Sequence, residues 1–180
     1  MVLRRIGPAD ATEMRWVQLR RLSRVFHLLS RGDVVATLEW NSGFGSLATG
    51  KAYGESWSFK RGGFLSPYVS LRYLGARTDY ARFQVSWGGG TLKLPPGSTF
   101  VWMRKGVWSP EYSFADGDGA VLLTFRRFTG LFKMEATVSL SEKATALRET
   151  PLLLLLGWYT ALLMAYESST AAAASVSAMS

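Results

Sequence analysis

The chain of 180 residues contains no cysteine and a single histidine, His27. Without thiols there is no disulfide framework, no thiolate zinc site and no cysteine nucleophile. With one imidazole, a zinc site would have to be built largely from carboxylates. A serine triad would depend on His27 alone, and no serine sits in the Gly-x-Ser-x-Gly context of a strand-to-helix nucleophile elbow. His27 instead lies in the apolar run Val25-Phe26-His27-Leu28-Leu29, which reads as strand. Acidic residues are few, 13 against 21 Lys and Arg, and they are scattered singly. Paired carboxylates for acid–base chemistry are therefore not signalled, and no catalytic residue, metal ligand or cofactor site is assigned. The absence of cysteine agrees with a cytoplasmic setting.

A secretory leader is not expected either. Arg4 and Arg5 are followed by Gly7-Pro8-Ala9-Asp10 rather than by an apolar core, and Glu13–Arg24 is broken by Arg15, Arg20 and Arg21. Two phosphate- and cation-binding motifs are present only in part. Gly45–Ala52 approaches a phosphate loop but has Ala52 where a magnesium-binding hydroxyl is needed, and no helix start follows. Asp116-Gly117-Asp118-Gly119 opens like a calcium loop, but Ala120 and Arg127 stand at ligand positions, so it reads as a hairpin turn.

Aromatics and glycines are abundant: seven Trp, seven Tyr, ten Phe and 18 Gly. Together with period-two alternation, they predict an antiparallel sandwich or barrel of short strands. Val34, Ala36, Leu38 and Trp40 alternate with Val35, Thr37 and Glu39. Trp57 and Phe59, then Val69, Leu71 and Tyr73, then Phe83 and Val85 behave alike. Val121, Leu123 and Phe125 alternate with Leu122, Thr124 and Arg126. Phe132, Met134, Ala136 and Val138 alternate with Lys133 and Glu135, which predicts the first four buried and the last two exposed. Gly32–Leu38 also echoes Gly119–Phe125, as a duplicated hairpin would. Trp40, Trp57, Trp87, Trp102 and Trp108 are read as core rather than as a nucleic-acid stacking surface.

The one long apolar run comes late. Leu152–Tyr166 is apolar on every side, so it must be buried in protein or in lipid. At 15 residues it would span about 22 Å as a helix, short for a bilayer and suited to a core. Thr150 is a candidate cap, Pro151 suits the first helical turn, and Gly157 leaves room for a bulky neighbour. The Ala- and Ser-rich residues 168–180 are expected to be a disordered tail.

Many short strands followed by an all-round apolar C-terminal helix resemble the tubby C-terminal-like superfamily, with its phospholipid scramblases and LURP-one-related proteins. The resemblance covers roughly residues 20–167. It is carried by Phe26-x-Leu28-x-x-x-Gly32-Asp33-x-Val35, by the Tyr112–Phe125 hairpin and by Thr150-Pro151-Leu152-Leu153-Leu154-Leu155-Leu156. It implies a mainly β fold, an antiparallel barrel of roughly twelve strands closed around the C-terminal hydrophobic helix, in a bacterial member of the group. Residues 1–19 would then precede the barrel as a basic segment. The family's palmitoylated cysteines, calcium segment and phosphoinositide pocket have no counterpart here, so no site residue transfers.

Charge supplies the only functional lead. The net charge is +8, and seven arginines against Asp10 and Glu13 fall within the first 32 residues. A basic end implies an anionic partner, acidic lipid or membrane surface ahead of nucleic acid, with Arg15, Arg20, Arg21 and Arg24 as candidate contacts. The leading reading is a non-enzymatic binding or scaffold domain, cytoplasmic and membrane-associated. The alternative is a single-pass protein anchored through Leu152–Tyr166, with Lys143 and Arg148 on the cytosolic side.

Overall fold

A computed structural model describes residues 3, 6, 13–20, 23–41, 45–86, 88–106, 111–129 and 134–177, without the side chains of 127–129 and 167–177. Twelve strands form one closed antiparallel barrel. They are β1 (Met14–Gln18), β2 (Val25–Ser30), β3 (Asp33–Trp40), β4 (Ala48–Ala52), β5 (Glu55–Gly62) and β6 (Tyr68–Tyr73), then β7 (Ala81–Ser86), β8 (Gly89–Leu94), β9 (Ser98–Lys105), β10 (Glu111–Asp116), β11 (Val121–Thr129) and β12 (Glu135–Leu140). Each strand pairs with its sequence neighbour, and β1 pairs with β12 to close the ring. Closure removes both sheet edges, which would otherwise expose unpaired backbone groups.

The closing strand lies within the segment that the sequence assigns to a basic leader before the barrel. β1 reads Met-Arg-Trp-Val-Gln, and Met14, Trp16 and Val17 are buried. Arg15 faces outward and pairs with Glu135 of β12 across the seam at 3.0 Å. Buried Gln18 secures one end of that seam: its Oε1 accepts from the Met134 N–H at 3.0 Å, and its amide donates to the Ser23 carbonyl.

Two helices follow. In α1 (Glu142–Ala146), Ser141 caps the first turn by accepting from the Ala144 N–H. The long α2 (Thr150–Ser177) threads the barrel. Leu152–Leu156, Trp158, Tyr159, Leu162 and Leu163 are all buried. The wall touches every face of this stretch, which is why none is polar. Leu152–Leu163 is thus enclosed by strands while Tyr166, at 41 % exposure, stands at the exit, and no helix among the described residues is long and apolar enough to cross a membrane. Thr150 does not act as the expected cap: it is the first helical residue, and its hydroxyl donates to the Ala144 carbonyl, tying α2 to α1. The backbone also stays helical as far as Ser177, where a disordered tail was expected. Four consecutive alanines, 171–174, supply the best intrinsic helix former for that extension.

Glycine notches let helix and wall interlock. A Cβ on Gly157 would lie 2.5 Å from Phe125 Cζ and 3.1 Å from Trp102 Cζ3. A Cβ on Gly50 of β4 would lie 2.9 Å from Leu155 Cδ2. The large rings fill what remains. Trp158 stacks on Trp16 (centroids 5.6 Å) and meets Phe26 edge-on, while Tyr159 stacks between Trp40 (5.1 Å) and Phe59 (5.5 Å). Trp40, Trp57 and Trp102 are buried, as expected of core tryptophans; Trp87 and Trp108 lie outside the described residues.

The expected faces need correction at two bulges. Leu28 pairs with Ala36 but Leu29 with Val34, leaving Val35 as an extra residue; Phe114 pairs with Leu123 but Ala115 with Val121, leaving Leu122 extra. An extra residue shifts the pleat by one, so alternation changes phase there. Val35 and Ala36 are consequently both buried, as are Leu122 and Leu123, while Val121 is 42 % exposed. Val35 and Leu122 occupy matching places in the sequence echo, so the two hairpins repeat in geometry as well as in composition. On β12, Ala136 and Val138 are buried as expected; Met134, just before the strand and expected to be buried, and Glu135, expected to be exposed, are both half-buried, and Phe132 and Lys133 lie outside the described residues.

Candidate functional site

The barrel has two unlike ends. α2 enters beside α1, at the end that carries the turns β2–β3, β4–β5, β6–β7, β8–β9 and β10–β11. It leaves at the other end, among the connections β1–β2, β3–β4 and β5–β6, where Tyr166 meets Trp40 edge-on at 5.5 Å. The Tyr159 hydroxyl donates to the Ser46 carbonyl at 2.6 Å, and Trp40 Nε1 donates to the Gly45 carbonyl at 2.7 Å. These bonds fix residues 45–47 at the exit rim. The near-match to a phosphate loop is therefore a rim loop running into β4, with no helix behind it.

Three ion pairs stand at the entry end, where Arg31, Lys51, Arg77, Lys93 and Arg148 are also exposed. Asp116 binds Lys143 at 2.5 Å, and Asp79 bridges Arg72 (2.6 Å) and Arg82 (2.9 Å). The Lys143 hydrogen bond holds the Asp116 carboxyl below its ordinary range, and the bonds from Arg82 and Arg72 do the same for Asp79. Asp116 Oδ1 also accepts from the N–H groups of Asp118 and Ala120. The segment resembling a calcium loop is thus a hairpin turn whose carboxylate is spent on the turn itself. His27 sits in the β2 ladder between Val17 and Thr37, half-buried. Among the described residues, no group of three His, Asp or Glu side chains is placed to hold a metal ion.

The exit rim holds the Arg126–Glu111 pair at 2.5 Å and further exposed basic side chains. Arg20 and Arg24, both exposed, lie in the β1–β2 connection. Arg24 is near enough to the Tyr166 phenol to oppose the rise in its pKa that burial causes. Lys60 and Arg61 are exposed at the end of β5, and Arg104 and Lys105 at the end of β9. Of the four arginines singled out from sequence, Arg20 and Arg24 fall together on this rim. Arg15 lies on the outer wall with Glu135, and Arg21 is outside the described residues.

What sequence reading missed is apolar. Phe64 and Leu65, between β5 and β6, are 98 % and 92 % exposed, and Leu19 on the β1–β2 connection is 59 % exposed. The tip that carries Phe64 and Leu65 is a built turn. Gly63 has φ +74°, and a Cβ there would lie 2.1 Å from the Ser66 carbonyl oxygen; a Cβ on Gly62 would lie 2.7 Å from Tyr68 Cζ. Neither position accepts a side chain without moving its neighbour. The exit is pinned by the Val85 N–H donating to the Pro67 carbonyl at 3.0 Å. The available signal was an apolar pair inside Gly62-Gly63-Phe64-Leu65-Ser66-Pro67, a stretch of turn residues where no core position is expected.

Compared with known proteins, the chain matches no family model, curated protein or solved structure.

Proposed function

We propose that this protein is a non-enzymatic binding domain that docks on anionic membrane surfaces through the exit rim of its barrel. The observation that carries the reading is that the exposed basic side chains Arg20, Arg24, Lys60, Arg61, Arg104 and Lys105 share this rim with the exposed apolar residues Leu19, Phe64 and Leu65. A basic rim is attracted to the negative potential of the cytoplasmic leaflet, with about 1 kcal/mol for each Lys or Arg near the surface. The non-enzymatic part of the reading draws on the ordinary structural duties of His27 and Asp116. Kinship with the tubby-like proteins belongs to the same proposal and rests on the order of strands and enclosed helix.

The test is co-sedimentation with phosphatidylcholine vesicles, with and without phosphatidylserine, across a salt series. Binding is expected only to the acidic vesicles and should fall as salt rises. Changing Arg20, Arg24, Lys60 and Arg61 together to Gln should abolish it. Equal binding to neutral and acidic vesicles, or none to either, would sink the proposal.

A further inference from the structure

We infer that Phe64 and Leu65 form an insertion wedge that enters the hydrocarbon boundary of an anionic bilayer while the basic rim meets its headgroups. The inference rests on the docking reading above and assigns the apolar half of the contact. Single exposed apolar residues are commonplace on protein surfaces. Two adjacent large ones, 98 % and 92 % exposed at the tip of a hairpin, are a different matter, because they leave a contiguous apolar knob in water.

The fold presents this knob deliberately. Gly63 and Gly62 shape a turn in which a side chain at either position would strike Ser66 or Tyr68, so Phe64 and Leu65 are held outward rather than folded back on the wall. The knob's shoulders are cationic: Lys60 and Arg61, both exposed, lead into the tip. An apolar tip with basic shoulders complements a layer of acyl chains beneath acidic headgroups. Leu47 on the β3–β4 connection and Leu19 on the β1–β2 connection, both more than a third exposed, follow the tip in order along the same rim and extend the apolar contact along one arc.

The absence of cysteine makes the test clean. Ser66→Cys places one thiol beside the tip for an environment-sensitive dye, and Asp118→Cys places one at the far end of the barrel. With vesicles of equimolar phosphatidylcholine and phosphatidylserine, the dye at 66 should shift to the blue and be quenched by lipids brominated in their acyl chains, while the dye at 118 should not change. Phe64→Ser with Leu65→Ser should abolish the shift and weaken partitioning by about tenfold or more, since partitioning scales with apolar area buried. Both side chains are exposed, so thermal melting of the double variant should match the parent. Undiminished sedimentation of the double variant, or a dye at 66 that stays in water while the protein sediments, would overturn the wedge and leave docking by charge intact. Failure of the parent protein to sediment with these vesicles would overturn both.

Discussion

The ring of Phe125 occupies the space that a side chain at Gly157 would need: a Cβ on Gly157 would lie 2.5 Å from Phe125 Cζ. The glycine is a fault in the helix taken alone and a fit in the assembled barrel. Gly157→Ala should gain about 1 kcal/mol of helix propensity and lose about 1–3 kcal/mol to overpacking. The expected net result is a less stable protein. Phe125→Leu in the same chain should reduce the cost of Gly157→Ala, and a double-mutant cycle by chemical denaturation measures that coupling. Additive effects would mean that the two residues do not share this space.

Enclosure makes α2 the centre of the core. Full burial of one leucine contributes about 1.5–3 kcal/mol, and Leu152–Leu156 supply five in a row. Deleting residues 151–180 should therefore abolish the cooperative thermal transition followed by circular dichroism. A folded, cooperatively melting β-domain after truncation would show that the wall stands without its filling.

The bulge on β11 is tested by two neighbours. Leu122 is 1 % exposed and Val121 42 %, the reverse of simple alternation. Leu122→Ala should cost about 2–5 kcal/mol, whereas Val121→Ser should stay within about 0.5 kcal/mol. Equal losses would place the bulge elsewhere. The matched pair Val35 and Val34 on β3 should repeat the inequality in weaker form, since Val34 is half-buried.

Acid should act through the entry end. Asp79 and Asp116 have folded-state pKa values below their ordinary ones, so the native protein binds fewer protons than the unfolded chain as pH falls through that range. Their stabilisation is complete above the unfolded carboxyl pKa of about 3.9 and is lost below it as the folded values are passed. Urea melts between about pH 5 and pH 2 should show this loss. Asp79→Asn should flatten the slope, and an unchanged slope would mean that the Arg82 and Arg72 bonds do not persist in solution.

Part of the candidate site was legible before any folding. A charge count singles out Arg15, Arg20, Arg21 and Arg24, because charge is a property of the residue, but it does not say which of them share a rim: Arg20 and Arg24 do, whereas Arg15 lies on the outer wall. Phe64 and Leu65 were not legible, because exposure depends on what the rest of the chain covers. A Phe-Leu pair in the chain looks the same whether it points into a core or into water.

The sequence by itself determined the kind of object this protein is. Period-two alternation with glycine turns dictates short antiparallel strands, and an apolar run without a polar face dictates a helix buried in protein or in lipid. Those conclusions follow from local periodicity, which each segment carries alone. Tertiary structure decided the rest. It recruited Met14–Gln18 to close the ring, because a closing strand is defined by its partner β12, more than a hundred residues away. It changed the phase of β3 and β11 at Val35 and Leu122, because pairing with β2 and β10, not pattern, sets which residue is extra. It gathered basic shoulders and an apolar tip on one rim, because the up-and-down order of strands sends alternate connections to the same end.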